Sequence, residues 1–322
     1  MFTPNQSRSI RACLESVHEN YNQMFGSFKS EYADTASWIA NVALQNIARS
    51  DAPYHDVEHT VLVTGAGQDI LRGKQLLGAE TISPEDWLNA MVSLVCHDIG
   101  YVRGVCRGDR PRERQYATAR GNDETIYLPE GATDASLTAY HVDRSQQFVR
   151  ERFAEMPHLD IGRICENIEL TRFPVPDDGE HDDTRGYPGL ARAADLIGQL
   201  ADPDYLPKTV GLFQEFEETG ANQKLGYRTP ADLRAGYPNF FKFVVRQYIE
   251  DSFEYLQATP SGRDRIVNLY HNVTAAENES RDRLPQPSGD GRSSHRTKVP
   301  SPSRDASFPS ATQLVLELAV TG

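Results

Sequence analysis

The stretch from Ser83 to Gly100 constrains the fold more than any other part of the chain. Ser83-Pro84-Glu85-Asp86 reads as a helix start, because serine can cap, proline suits the first helical position, and acids favour the positive end of the dipole. Trp87, Leu88, Met91, Val92, Leu94 and Val95 then make the segment apolar enough to be a buried core helix, ending at Gly100. On either side, from Ser7 to about Tyr270, the pattern is a series of helices with irregular connections and no convincing run of strand alternation. The expected fold is therefore an all-α, compact helical bundle.

A chain of 322 residues can hold one large domain or two ordinary ones. Residues 1–49 are expected to form a helical segment packing on the core, and residues 50–270 the main domain. After about His271 the composition turns to Ser, Pro, Arg and Asp, which predicts a disordered tail over 271–322. Within it, ATQLVLELAV (311–320) is apolar, and a short docking segment is left open there. Two long loops, Arg103 to Gly131 and Phe173 to Gly189, interrupt the helices. The first carries Arg103, Arg107, Arg110, Arg112, Arg114 and Arg120, and is expected to be solvated rather than a phosphate clamp. His181 and its acidic neighbours in the second are likewise expected to be solvated.

A net charge of -13 argues against binding a nucleic-acid polymer, since most of the surface would repel backbone phosphates. A small phosphate-bearing ligand stays possible, because a local metal can reverse the sign of the field. No stretch approaches the roughly 20 apolar residues of a membrane span. Cys13, Cys96, Cys106 and Cys165 lie far apart without a CxxC pair, so neither a disulfide framework nor a thiolate zinc site is indicated. A cytoplasmic location is the expectation.

Three segments carry the residues that suggest chemistry. Asp51-Ala-Pro-Tyr-His55-Asp-Val-Glu-His59 begins with a cap and a proline, which predicts both histidines in the first turns of one helix, on one face. Two such imidazoles can reach one metal, or one can bind metal while the other handles a proton. His97-Asp98 closes the apolar helix, where a carboxylate meets the negative end of the dipole and calls for a nearby cation. Asp195 interrupts the apolar run LARAADLIGQL and should point inward, towards either a metal or a base such as Arg192.

Together the segments resemble the HD superfamily of metal-dependent phosphohydrolases. YHDVEHTVLV (54–63) is similar to the Tyr-His-Asn-x-x-His segment of class I cyclic-nucleotide phosphodiesterases, HDIGY (97–101) to their HD motif, and AADLIGQ (193–199) to the segment holding their last metal-binding Asp. The resemblance covers roughly Ser50 to Leu200 and makes 50–270 the catalytic domain. It implies that His59, His97, Asp98 and Asp195 ligate metal and that His55 protonates the leaving alkoxide. Extra histidines in related HD-GYP enzymes suggest that His141 completes a second metal site or contacts substrate. Asp56 replaces the usual Asn, and Tyr101 stands where a further histidine often follows the HD pair. No Gln occurs near Tyr237 to Phe240, where the family's nucleotide-recognising Gln is expected, so purine cyclic-nucleotide specificity is not implied.

The mixed His and carboxylate set suits one or two ions of Mn, Fe, Zn, Co or Mg. The expected activity is metal-dependent hydrolysis of a phosphodiester, of a nucleotide or cyclic nucleotide, with Asp195 orienting the attacking water. The alternatives are a nucleotide phosphomonoesterase and a catalytically silent HD-domain sensor.

Overall fold

The computed structural model describes residues 2–282 apart from 79, 80 and 122. The fold is all-α, as expected. Its helices are α1 (Pro4–Phe25), α2 (Glu31–Ile47), α3 (Val57–Leu76), α4 (Pro84–Cys96), α5 (His141–Phe153), α6 (Ile161–Glu169), α7 (Tyr187–Leu200) and α8 (Tyr205–Thr219). They continue with α9 (Ala221–Leu225), α10 (Pro230–Phe240), α11 (Arg246–Ile249), α12 (Phe253–Gln257) and α13 (Pro260–Asp282). Among the described residues no helix is long and apolar enough to cross a membrane.

α4 starts where its capping signals place it. Ser83 accepts from the Asp86 amide at 3.1 Å, and the Asp86 carboxylate returns a bond to Ser83. All residues from Trp87 to Cys96 are buried, so α4 is the core helix its composition predicts. It ends at Cys96 rather than Gly100, and a 3₁₀ turn over Ile99–Tyr101 follows.

α1 and α2 contribute Val17, Tyr21, Ile39 and Leu44 to the same core as α3, α4 and α7. Asn20 accepts from the buried Trp87 indole at 2.7 Å, tying the first helix to the central one. α3 and α7 pack unusually closely, because a Cβ on Gly198 of α7 would lie 2.7 Å from the Val63 backbone of α3. That approach brings His59 and Asp195, one on each helix, within reach of one another.

The chain stays helical past the expected boundary at 270. α13 runs to Asp282, with Leu269, Asn272 and Ala276 buried. Asn272 donates to the carbonyls of Leu200 and Asp202 at 3.0 and 2.8 Å, satisfying the C-terminal end of α7. Arg234 pairs with Glu279 at 3.0 Å. The polar composition after His271 hides this, because the residues that hold α13 there are themselves polar. The remainder of the expected tail, including 311–320, lies outside the described residues.

The arginine-rich loop is also more structured than expected. Gln115–Ala117 (β1) and Thr125–Tyr127 (β2) form a short antiparallel hairpin, with Tyr116 opposite Ile126. Three-residue strands are too short to show as alternation in the sequence. Arg103 pairs with Asp51 and Asp134, Arg120 with Asp143, Arg110 with Glu113 and Arg114 with Glu130. The Arg107 guanidinium donates to the Glu151 carbonyl. Beneath the loop, Arg144 of α5 forms a fully buried two-pronged pair with Asp109, at 2.9 and 3.0 Å. In the second loop His181 is buried, not solvated, and bonded to Asp178 at 2.6 Å.

Candidate metal centre

The first element of the site is the entry to α3. Its cap is Asp56, whose carboxylate accepts from the amides of Glu58 and His59 at 2.9 and 3.0 Å. The expectation that Asp51 caps this helix and that both histidines lie on its first turns is corrected. Asp51 accepts instead from Arg103 and from the Asp134 amide, so the helix starts at Val57. His59 lies in the first turn, while His55 stands just before the cap.

The second element is the His-Asp turn at the end of α4. His97 is held through Nδ1 against the Leu94 carbonyl at 2.7 Å. Ser145 of α5 donates to the His97 carbonyl at 2.6 Å and accepts from the Gly100 amide at 2.8 Å. Arg144 donates to the Gly100 and Val102 carbonyls. A Cβ on Gly100 would lie 1.9 Å from the His141 carbonyl, so only glycine lets α5 come this close.

Asp195 of α7 completes the cluster. Its Oδ1 lies 3.3 Å from His59 Nε2 and 3.5 Å from His97 Nε2, and Asp98 Oδ2 lies 3.1 Å from each of those nitrogens. Arg192, the other partner the spacing allowed, turns away. It donates to the carbonyls of His181 and Asp183 and lies 4.4 Å over the Tyr248 ring.

These contacts are close, but they lack hydrogen-bonding geometry. His59 Nδ1 and Nε2, His97 Nε2 and Asp98 Oδ2 are buried without a hydrogen-bond partner. Unpaired polar atoms of this kind are costly unless a cation meets them. His59, His97 and Asp195 offer ligand atoms within 4.8 Å of one another, as do His55, His59 and Asp98. The residues therefore fit a divalent metal. The same carboxylates act on the imidazoles: burial pulls the His59 pKa down, yet Asp195 and Asp98 outweigh it and push it up to about 9. Burial pushes Asp98 and Asp195 up, but the facing histidines hold both well below the usual carboxylate range.

His55 is oriented by a residue that sequence reasoning missed. Glu215 of α8 lies 2.5 Å from His55 Nδ1 through Oε2, while its Oε1 accepts from the Tyr54 and His55 amides at 2.7 and 3.1 Å. Burial lowers the His55 pKa and Glu215 more than offsets that, so the imidazole holds its proton more firmly than usual. His141 opens α5, bonded through Nδ1 to the Thr138 carbonyl at 2.6 Å, and its Nε2 lies 3.8 Å from Asp98 Oδ1. Burial holds it below the ordinary histidine range. Asp195 and His55 are the most open of these side chains, at 19% and 17% exposure, against 1 to 5% for His97, His59 and Asp98. The cluster therefore meets solvent through the former pair.

A family model described as Npun_R2479-like matches residues 5–279. The chain belongs to the Npun_R2479-like family. The match runs from α1 into α13, so in this Npun_R2479-like chain it spans the N-terminal helices, the clustered residues and residues 271–279. No curated protein matches the chain.

A cavity of ≈ 130 Å³ borders His59, lined among others by Tyr54, Asp56, Gln199, Asp202 and Lys208. Lys208 is neutralised by Asp202 at 2.6 Å and Glu58 at 3.1 Å, so it brings no unpaired positive charge to this Npun_R2479-like site. Glu215 did leave a trace in the sequence. Tyr205, Thr209, Leu212 and Glu215 share the buried face of α8, and an acid on such a face is the signal that singled out Asp195.

Proposed function

We propose that this chain is a metal-dependent phosphohydrolase that cleaves a phosphodiester, with a nucleotide or cyclic nucleotide as substrate, in the manner of the HD superfamily it resembles. The observation that carries the reading is the convergence of His59, His97, Asp98 and Asp195 with buried, unpartnered nitrogen and oxygen atoms facing one another.

His59, His97, Asp98 and Asp195 would hold the ion. When bound, a divalent cation supplies Lewis-acid activation of water and neutralises charge on the phosphoryl oxygens. The protein's own groups do the rest. Asp195, the most open of the four, is placed to accept a hydrogen bond from an attacking water and so orient it. His55, fixed by Glu215 and holding its proton more firmly beside it, delivers that proton from Nε2 to the departing oxygen as general acid. Glu215 itself touches no substrate and acts by holding the ring.

A metal-supplemented screen over cyclic nucleotides, dinucleotides and nucleoside monophosphates tests the proposal. Turnover of a diester that chelation abolishes and His97→Ala removes supports it. Turnover confined to monophosphates would make the chain a nucleotidase, and no turnover with any metal would refute the hydrolase reading.

A further inference from the structure

Tyr101 occupies an uncommon position beside the cluster. Its phenol ring is stacked against His55, with centroids 4.5 Å apart and planes 14° from parallel, and against His141, at 4.4 Å and 20°. Among the described residues the two imidazoles make no ring contact with each other and share no cluster of three ligand groups. They therefore take opposite faces of one aromatic ring. The ring is held there by the 3₁₀ turn after the His-Asp pair and is almost wholly buried, at 2% exposure.

Two histidines that ligate one ion must bring their nitrogens within about 4 Å, since each metal–nitrogen bond is about 2.1 Å long. Rings on opposite faces of a phenol are kept further apart by the thickness of the ring between them. We infer that Tyr101 is a wedge that restricts the centre to a single divalent ion, by preventing His55 and His141 from converging on a second one. The inference rests on the metal-dependent reading above. It assigns His141 no ligand role, because its ring is stacked on Tyr101, which keeps it from converging with His55 on an ion. Tyr101 is thus a positioning residue that sets the metal count.

Metal stoichiometry tests this without any assay of turnover. The chain is stripped with chelator, equilibrated with Mn²⁺ by dialysis, and examined by elemental analysis and electron paramagnetic resonance. The wild-type protein is expected to hold one ion per chain, with the signal of isolated Mn²⁺. His141→Ala should leave both unchanged. Tyr101→His, which replaces the wedge by a smaller ring that can itself ligate, should raise the content to two ions and give the signal of an exchange-coupled pair. A coupled pair in the wild-type protein overturns the wedge, and so does loss of an ion in His141→Ala. A folded Tyr101→His protein that still holds one ion overturns it too. A wild-type protein that binds no ion at all sinks the metal-dependent reading itself, a result distinct from each of these.

Discussion

Glu215 grips His55 at two points, with Oε2 lying 2.5 Å from the imidazole Nδ1 and Oε1 accepting the His55 amide at 3.1 Å. The ring is fixed through this one nitrogen by a carboxylate of α8. A metal ligand outside the primary set and a general acid make different demands on such a ring, and variants separate them.

If His55 donates a proton, His55→Ala keeps its metal and loses about 10²- to 10⁴-fold in rate on a natural diester. His59→Ala loses metal. On a nitrophenyl phosphodiester, whose leaving group needs no proton, the His55→Ala deficit should largely disappear. Equal metal loss in both variants, measured by elemental analysis, would make His55 a ligand, consistent with its place in the His55, His59, Asp98 group.

Glu215→Gln should change the pH profile rather than the metal content. Glu215 raises the His55 pKa against the lowering effect of burial. The acid must be protonated to act, so activity falls as pH rises through that pKa. Removing the carboxylate lowers the pKa, and the alkaline limb of the rate profile should move to lower pH. A limb that stays in place would show that His55 is not the group being titrated.

His97→Ala and Asp98→Ala should each strip the protein of metal, because both lie in the unpartnered cluster. Elemental analysis after dialysis is the measurement. Metal content equal to that of the wild type in both variants would remove the His-Asp pair from the site.

Gly100→Ala should destabilise the fold by about 1–3 kcal/mol, the usual cost of overpacking, and weaken metal binding with it. The added Cβ would meet the His141 carbonyl at 1.9 Å, so the His-Asp turn and α5 must separate. Chemical denaturation gives the first quantity and metal titration the second. An unchanged midpoint would mean that the contact gives way freely.

Truncation after Tyr270 should lower the melting temperature by several degrees, since it removes Asn272 from two carbonyls and Glu279 from Arg234. Loss of those buried hydrogen bonds alone costs about 1–3 kcal/mol. A melt of the shortened protein coincident with the full chain would show that this end of α13 contributes nothing.

The clustered residues were visible in the sequence because they break the pattern around them. An acid in an apolar run (Asp195) and a His-Asp pair closing an apolar helix are exceptions to a pattern, and exceptions stand out. Asp56 was harder to read as the cap, since Asp51 carried the same chemistry five residues earlier and the choice depends on Arg103 and the Asp134 amide, both distant in sequence. The burial of Arg144, Asp109 and His181 was not legible for a related reason. Charged residues in loops are usually solvated, and only the three-dimensional pairing of Arg144 with Asp109 makes burial tolerable here. The helical end of the domain was hidden in the same way, its anchors being an asparagine and a glutamate.

His59, the His97-Asp98 pair and Asp195 come from α3, the end of α4 and α7, segments that meet only once the bundle has closed. An unfolded chain cannot present them together, so an ion bound there favours the native state over the denatured one by mass action. At a free metal concentration about 100 times the dissociation constant that preference is worth about 2.7 kcal/mol. If the centre binds metal as proposed, the heat resistance of the protein would be set partly by its surroundings, rising and falling with the metal available to it.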